Sequence, residues 1–189
     1  MLIRGAKGLL PALAFAIAAC APQTVQLKPE VATSFWKAER VIDSAEHCAI
    51  SIVSVTDARR DPTGFGNFAH LASLDQQNVE RWLSSGVMRL NRVADVAPDE
   101  VVKVSVELLK LYVNMVGPNF SSTAVLRATI NGPAQSSVDL FRGSDFSANW
   151  GFAESEVEGT LERALRAAIT ELAGSVSQQC PTEVTVTRN

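Results

Sequence analysis

The feature that most constrains the fold is a long run of alternating apolar and polar residues at positions 101–116. Successive side chains of a β-strand point to opposite faces, so the alternation predicts a strand with one buried face. The apolar positions are even-numbered up to Leu108 and odd-numbered from Leu111 onward. Because one extra residue in a strand exchanges its two faces, this change predicts a β-bulge near Leu108 and Leu109.

Two further strands are predicted at 122–130 and 137–146. A Gly-Pro-Asn turn sequence precedes the first of them and an Asn-Gly-Pro turn sequence precedes the second. Short turns between consecutive strands favour an antiparallel meander. The expected inward residues are Ala124, Leu126, Ala128 and Ile130 in the first and Val138 and Leu140 in the second, with Asp139 outward. An earlier segment, 48–56, is rich in β-branched residues and predicts another core strand.

Two amphipathic helices are predicted, each opening with a capping-box pattern, at Ser73 and at Ser155. In the first helix Trp82 shares the apolar stripe and is expected to be a core residue rather than a ligand platform. In the second, apolar residues recur at helical spacing, Glu162 and Arg166 form an exposed pair, and Gly174 is expected to end the helix. The predicted fold class is therefore α+β, with a mainly antiparallel sheet and two amphipathic helices packed on one face.

The N-terminus has the pattern of an export signal that ends in a cysteine. Arg4 and Lys7 precede an apolar run that is too short to span a bilayer, and small residues lead to Cys20. The segment resembles the lipobox of bacterial lipoproteins, in which the cysteine is lipidated and the preceding peptide removed. A plain secretory signal and an ordinary buried helix are the alternatives. We expect residues 1–19 to be a signal peptide, 20–35 a lipidated tether and 36–189 a single periplasmic domain.

The remaining cysteines form an even pair. Once Cys20 is lipidated, Cys48 and Cys180 are left in an oxidising compartment, which favours a disulfide over two buried thiols. In the chain-entropy model, closing a loop of roughly 130 residues stabilises the fold by about 4–5 kcal/mol.

Composition excludes some functions and motifs exclude others. Apolar residues make up 47% of the chain and charged residues 20%, which is typical of a globular protein. The sequence has no basic stripe of the kind that indicates nucleic-acid binding. His47 and His70 lack partners at metal-ligand spacing, and no nucleophile, Walker or dinucleotide motif occurs. We therefore expect no enzymatic activity and no cofactor.

The loop after the 48–56 strand is the strongest candidate for contact with a partner. It is polar and punctuated by glycine and proline, and it carries Asp57, Arg59, Arg60 and Asp61. These mixed charges favour a loop that is simply solvated, and binding of a partner or an anion is the alternative.

The order of these segments resembles small outer-membrane lipoproteins of the YajG-like group and, more distantly, auxiliary lipoproteins of ABC-type lipid transport systems. The segments that carry the likeness are VSVTDARRD, the helix with Trp82-Leu83, VKVSVELLKLYVN, STAVLRATI and WGFAESEVEGTLERAL. The resemblance implies an α+β sandwich without an active site. It also implies an accessory or structural role in an envelope protein complex at the periplasmic face of the outer membrane, or a role in lipid transport.

Overall fold

The structure, a computed structural model, describes residues 23–25, 49–64, 66, 72–93, 97, 100–150 and 154–180 of the 189-residue chain. A short 3₁₀ turn, Met88–Leu90, directly follows the helix that ends at Val87. The elements in this part of the chain are β1 (Gln23–Val25), β2 (Ile50–Asp57), β3 (Ala72–Leu74), α1 (Gln76–Val87), β4 (Val102–Val116), β5 (Asn119–Asn131), β6 (Ser136–Ala148) and α2 (Glu154–Gln178).

The main sheet has the strand order β2-β4-β5-β6. Strands β4, β5 and β6 form the predicted antiparallel meander, whereas β2 pairs with β4 in parallel. The α+β class is confirmed, but the sheet is mixed. The reason is the connection: α1 carries the chain back along the sheet between β2 and β4, and such a crossover makes neighbouring strands parallel.

The predicted bulge in β4 is confirmed. The register of β4 on β5 shifts between Leu108 and Lys110, which leaves Leu109 as the extra residue. Buried residues are even-numbered before the shift and include Leu111 and Val113 after it. The bulge therefore lets both halves of the strand place apolar side chains on one face.

One core lies between the sheet and the two helices. It contains the buried faces of α1 and α2 together with the inward side chains of β2, β4, β5 and β6, so both helices pack on the same face. Trp82 is 3% exposed and belongs to this core, as predicted. The four residues expected inward on β5 are all buried.

The predicted facing of β6 is wrong. Val138 and Leu140 are 63% and 66% exposed, and Phe141 and Gly143 lie inward instead. Pairing with β5 places Gly143 opposite the buried Ala124. A Cβ atom at Gly143 would lie 1.8 Å from the carbonyl oxygen of Ala164 in α2, so the helix backbone passes directly over this glycine.

Three predictions about the helix ends are also corrected. Asp75, not Ser73, caps α1, because its carboxylate accepts from the N–H groups of Gln77 and Asn78 at 2.9 and 3.3 Å. Ser155 is a helical residue, because α2 begins at Glu154. Gly174 does not end α2, which continues to Gln178.

Glu162 is buried in α2, so the Glu162–Arg166 pair does not lie on an exposed face as predicted. Burial raises the pKa of Glu162, against the opposing charges of Arg166 and Arg163.

A polar network fastens the start of α2 to the sheet. The Ser122 hydroxyl donates to the Thr160 carbonyl oxygen at 2.8 Å, and the Thr160 hydroxyl donates to Asp145 at 2.8 Å. Arg163 pairs with the same carboxylate at 3.0 Å. Burial raises the pKa of Asp145, but hydrogen bonds from Arg163 and Thr160 and the charge of Arg163 outweigh it, so the pKa lies below its usual value.

Strand β1 lies within the segment predicted to be a tether and pairs in parallel with β3. The rest of that segment, the signal-like residues 1–19 and Cys20 lie outside the described residues. No helix in the described part of the chain is long and apolar enough to cross a membrane.

Candidate functional site

The loop after β2 is held by a buried ion pair. The Arg59 guanidinium donates to both carboxylate oxygens of Asp57, at 2.8 and 2.7 Å, and to the carbonyl oxygen of Pro62 at 2.6 Å. Only 3% of the Arg59 side chain and none of the Asp57 side chain is exposed. The third guanidinium nitrogen, Nη1, is buried without a hydrogen-bond partner among the described residues. This pair therefore fixes the shape of the loop and is shielded from a partner.

Asp61 makes a tight turn in the same loop. Its Oδ1 accepts from the N–H of Gly64 at 2.8 Å and from the N–H and hydroxyl of Thr63 at 3.2 and 3.0 Å. The N–H of Gly64, followed by the Thr63 hydroxyl, lowers the pKa of the Asp61 carboxyl. Asp61 is exposed, but its Oδ1 accepts hydrogen bonds from the loop itself.

The bulge in β4 opens a gap beside this loop. At one end of the gap the N–H of Ala58 donates to the carbonyl oxygen of Leu108 at 3.0 Å. At the other end Gly66 forms a parallel bridge with Val113. Gly66 has a φ of +114°, and a Cβ atom there would lie 1.8 Å from the Val113 carbonyl oxygen. Only glycine therefore fits at the point where the loop meets β4.

A cleft of about 640 Å³ lies in this gap, between the loop and the outer face of β4. Residues 58–61, Gly64, residues 109–112 and Arg127 line it. Arg127 is paired with Glu107 on the neighbouring strand. Arg60 and Lys110 are exposed and form no ion pair with the described residues, so the cleft carries surplus positive charge.

The arrangement is suited to binding an anionic group that is attached to a less polar body. Arg60 and Lys110 supply two cations, and guanidinium and ammonium groups bind carboxylates and phosphates. The half-buried Leu109 and Tyr112 supply apolar surface and a phenol hydroxyl within the same cleft.

The structure brings three of the four loop residues predicted as a partner-binding site to the cleft. Arg59, Arg60 and Asp61 line it, whereas Asp57 is buried behind them in the ion pair. Of these three residues, only Arg60 is exposed and takes no part in the hydrogen bonds that shape the loop. The partner-binding site therefore stays a prediction. The geometry leaves Arg60 as the loop residue that is placed to contact a partner.

Sequence reasoning missed the opposite wall of the cleft, formed by Leu109, Lys110, Tyr112 and Arg127. The signal that could have found it is the change of apolar parity at Leu108, because bulges occur preferentially beside functional sites and redirect side chains.

The predicted lipidation and disulfide sites stay untested. Cys20 and Cys48 lie outside the described residues, as do the two histidines, His47 and His70, for which no site was predicted. Cys180 lies just beyond α2, half buried and packed against the core. Among the described residues no group of three His, Cys, Asp or Glu side chains is placed to hold a metal ion.

Comparison with known proteins shows similarity at the level of structure. No family model and no curated protein sequence matches the chain. A Xanthomonas campestris protein of family DUF330 is 17% identical, with a TM-score of 0.50 over 70% of this chain and 85% of that one. A Caulobacter crescentus CB15 protein proposed to be a lipoprotein is 11% identical, with a TM-score of 0.37 over 68% of this chain and 88% of that one. The first similarity shows a shared fold, and the second is too distant to support a conclusion.

Proposed function

We propose that this protein is an outer-membrane lipoprotein, anchored through Cys20, that serves as a structural or accessory component of a cell-envelope protein complex. The lipobox pattern at Cys20 supports the anchor, and the likeness of element order to YajG-like lipoproteins supports the accessory role. The domain would lie in the periplasm and contact other envelope proteins.

The observation that carries the accessory role is the surplus positive charge of the cleft. Arg60 and Lys110 face it without ion partners among the described residues, whereas Arg59 and Arg127 are paired with Asp57 and Glu107. The Asp61 carboxylate offsets one of these two cations, so the cleft keeps a net positive charge. Paired charges on a surface contribute little to association, whereas unpaired cations attract an acidic segment of a partner. The cleft is thus a docking site for an acidic side chain or chain terminus of a partner protein.

The second candidate is an auxiliary lipoprotein of an ABC-type lipid transport system. That role predicts an open apolar cavity between the helices and the sheet. The described side chains at this interface are packed instead: Leu83, Leu126, Leu161 and Leu165 are at most 1% exposed. This packing favours the accessory role.

Affinity purification of the tagged full chain from crosslinked native envelopes tests the proposal. We expect a defined set of partner proteins, retained by wild type and lost in the double variant Arg60→Glu/Lys110→Glu. Lys103→Glu is the matched control, because Lys103 is exposed on the same strand but outside the cleft.

Three other outcomes would count against the docking role. Partners retained by the double variant would exclude the cleft as their contact. Phospholipid recovered together with an ATPase and a substrate-binding protein would support lipid transport instead. Recovery of the monomer alone, without lipid, would contradict both roles.

A further inference from the structure

Three exposed apolar side chains lie at one end of the sheet. Val116 ends β4, Phe146 lies near the end of β6, and Trp150 follows β6 by two residues. They are 54%, 63% and 88% exposed. The N–H of Asn149 donates to the carbonyl oxygen of Pro118, in the β4–β5 turn, at 3.0 Å, which holds the Trp150 segment against this end. We call Val116, Phe146 and Trp150 the apolar tip.

Strand β1 lies beside the half of the sheet that leads to the apolar tip. The loop after β2 follows β4 toward the tip, from Leu108 to Val113. Within that stretch the carbonyl oxygen of Thr63 accepts from the N–H of Leu74 in β3 at 3.0 Å. Strand β1 is paired with β3, so β1 also lies beside the tip half of the molecule.

The distance from β1 to the proposed anchor is short. Gln23, the first residue of β1, follows Cys20 by three residues. Three extended residues span at most about 10 Å. A lipid on Cys20 therefore holds β1, and with it the tip half of the domain, close to the bilayer surface.

The chemistry of the apolar tip matches that surface. Tryptophan is enriched at membrane interfaces, where its ring sits among the headgroups, and exposed apolar patches mark protein or membrane contacts. Glu154 and Glu156 open α2 next to the tip, and Glu156 accepts from the N–H of Trp150 at 3.1 Å. Val116, Phe146 and Trp150 supply no cation for an anionic headgroup, so the tip fits a zwitterionic membrane.

We propose that the apolar tip inserts into the headgroup layer of the zwitterionic bilayer that holds the lipid anchor. The inference rests on the proposed function, because it requires a lipid on Cys20. The apolar tip then fixes one end of the domain to the membrane, and the cleft lies to one side of this contact. The domain does not move freely on a tether.

Tryptophan fluorescence of the lipidated full chain, reconstituted in phosphatidylcholine vesicles with brominated acyl chains, tests the inference. The chain has three tryptophans, and Trp82 is buried in the core. The quenching that disappears in Trp150→Phe therefore reports on Trp150. We expect most of the quenching to be lost in Trp150→Phe, and the quenching of Trp150 to fall at least two-fold in Phe146→Ser.

Leu140→Ser is the matched control, because Leu140 is as exposed as Phe146 and lies on the same strand, away from the tip. It should leave the quenching unchanged. Lipidation is checked separately from the protein mass. If the protein carries lipid but Trp150 is not quenched, or if Trp150 is shielded by a second copy, the inference is wrong while the proposed anchor stands. If Cys20 carries no lipid, the proposed function itself fails.

Discussion

At the scale of single residues, the loop beside the cleft depends on the ion pair between Asp57 and Arg59. Both side chains are almost wholly withdrawn from solvent. Removing one partner of a buried pair leaves an uncompensated charge, which costs far more than the loss of a pair exposed to solvent. The shape of the cleft and the stability of the fold are therefore coupled at Asp57.

The Asp57→Ala variant should lower the free energy of unfolding by about 3–5 kcal/mol, because it leaves Arg59 buried without its carboxylate. Urea denaturation measures this value. Glu107→Ala is the control: it breaks the solvent-exposed pair with Arg127 and should change stability only slightly. Equal effects of the two substitutions would show that the Asp57–Arg59 pair is not buried in solution.

Glu162 provides a second test at the residue scale, with the opposite sign. Burial raises its folded-state pKa above the unfolded value of about 4.3. Ionisation therefore costs stability as the pH rises through the folded-state pKa, whereas below about pH 4 the carboxyl is protonated in both states.

Glu162→Gln should raise the free energy of unfolding at pH 7, and the gain should shrink to nothing as the pH falls to about 4. Denaturation of both proteins across this pH range measures the difference. A destabilised variant at pH 7 would indicate that Arg166 and Arg163 stabilise the charged carboxylate more than burial penalises it.

At the scale of elements, the seating of α2 on the sheet depends on a glycine in β6. Gly143→Ala should lower the free energy of unfolding by about 1–3 kcal/mol, because the added methyl group meets the backbone of α2 at Ala164. Gly174→Ala is the matched control within α2. A Cβ atom at Gly174 meets nothing within 4 Å, so this substitution should stabilise the helix by about 1 kcal/mol. Thermal denaturation compares them, and a neutral Gly143→Ala would contradict the close approach.

The elements also show which parts of the fold could be predicted. The bulge in β4 was predictable because a change of parity in one strand is a local signal. The parallel pairing of β2 with β4 was not, because strand residues alone do not specify a neighbour. The facing of β6 was misjudged because Val138 and Leu140 are the more apolar choice, while the crossing of α2 requires Gly143 on the inner face.

The candidate site was predictable only in its loop. Arg60 is recognisable from its polar surroundings in the sequence. Lys110 and Arg127 join it through the bulge and through the register that pairs Glu107 with Arg127. Such contacts depend on pairing between distant segments, which a single sequence does not reveal.

At the scale of the whole molecule, the predicted disulfide would close the end of the sheet opposite the apolar tip. Ala49, which follows Cys48, accepts from the N–H of Val102 at the start of β4. Gln179, which precedes Cys180, lies against Gly132 just after β5. Because the start of β4 pairs with the end of β5, Ala49 and Gln179, the described neighbours of the two cysteines, lie at the same end of the sheet.

Cys48→Ser should therefore lower the free energy of unfolding by up to about 4–5 kcal/mol under oxidising conditions and have little effect under reducing ones. Intact mass with and without reductant, together with thiol labelling of the native protein, checks the bond. Labelling of both cysteines in the oxidised native protein would contradict it.

The lipid anchor is the claim on which the location, the accessory role and the membrane contact all depend. The most direct measurement is the mass of the mature protein isolated from Gram-negative envelopes, with Cys20→Ala as control. We predict a chain that begins at Cys20 and carries a diacylglyceryl group and an N-linked acyl chain, both absent from the variant. A mature chain without lipid, whether cleaved after Ala19 or Ala21 or not cleaved at all, would contradict it.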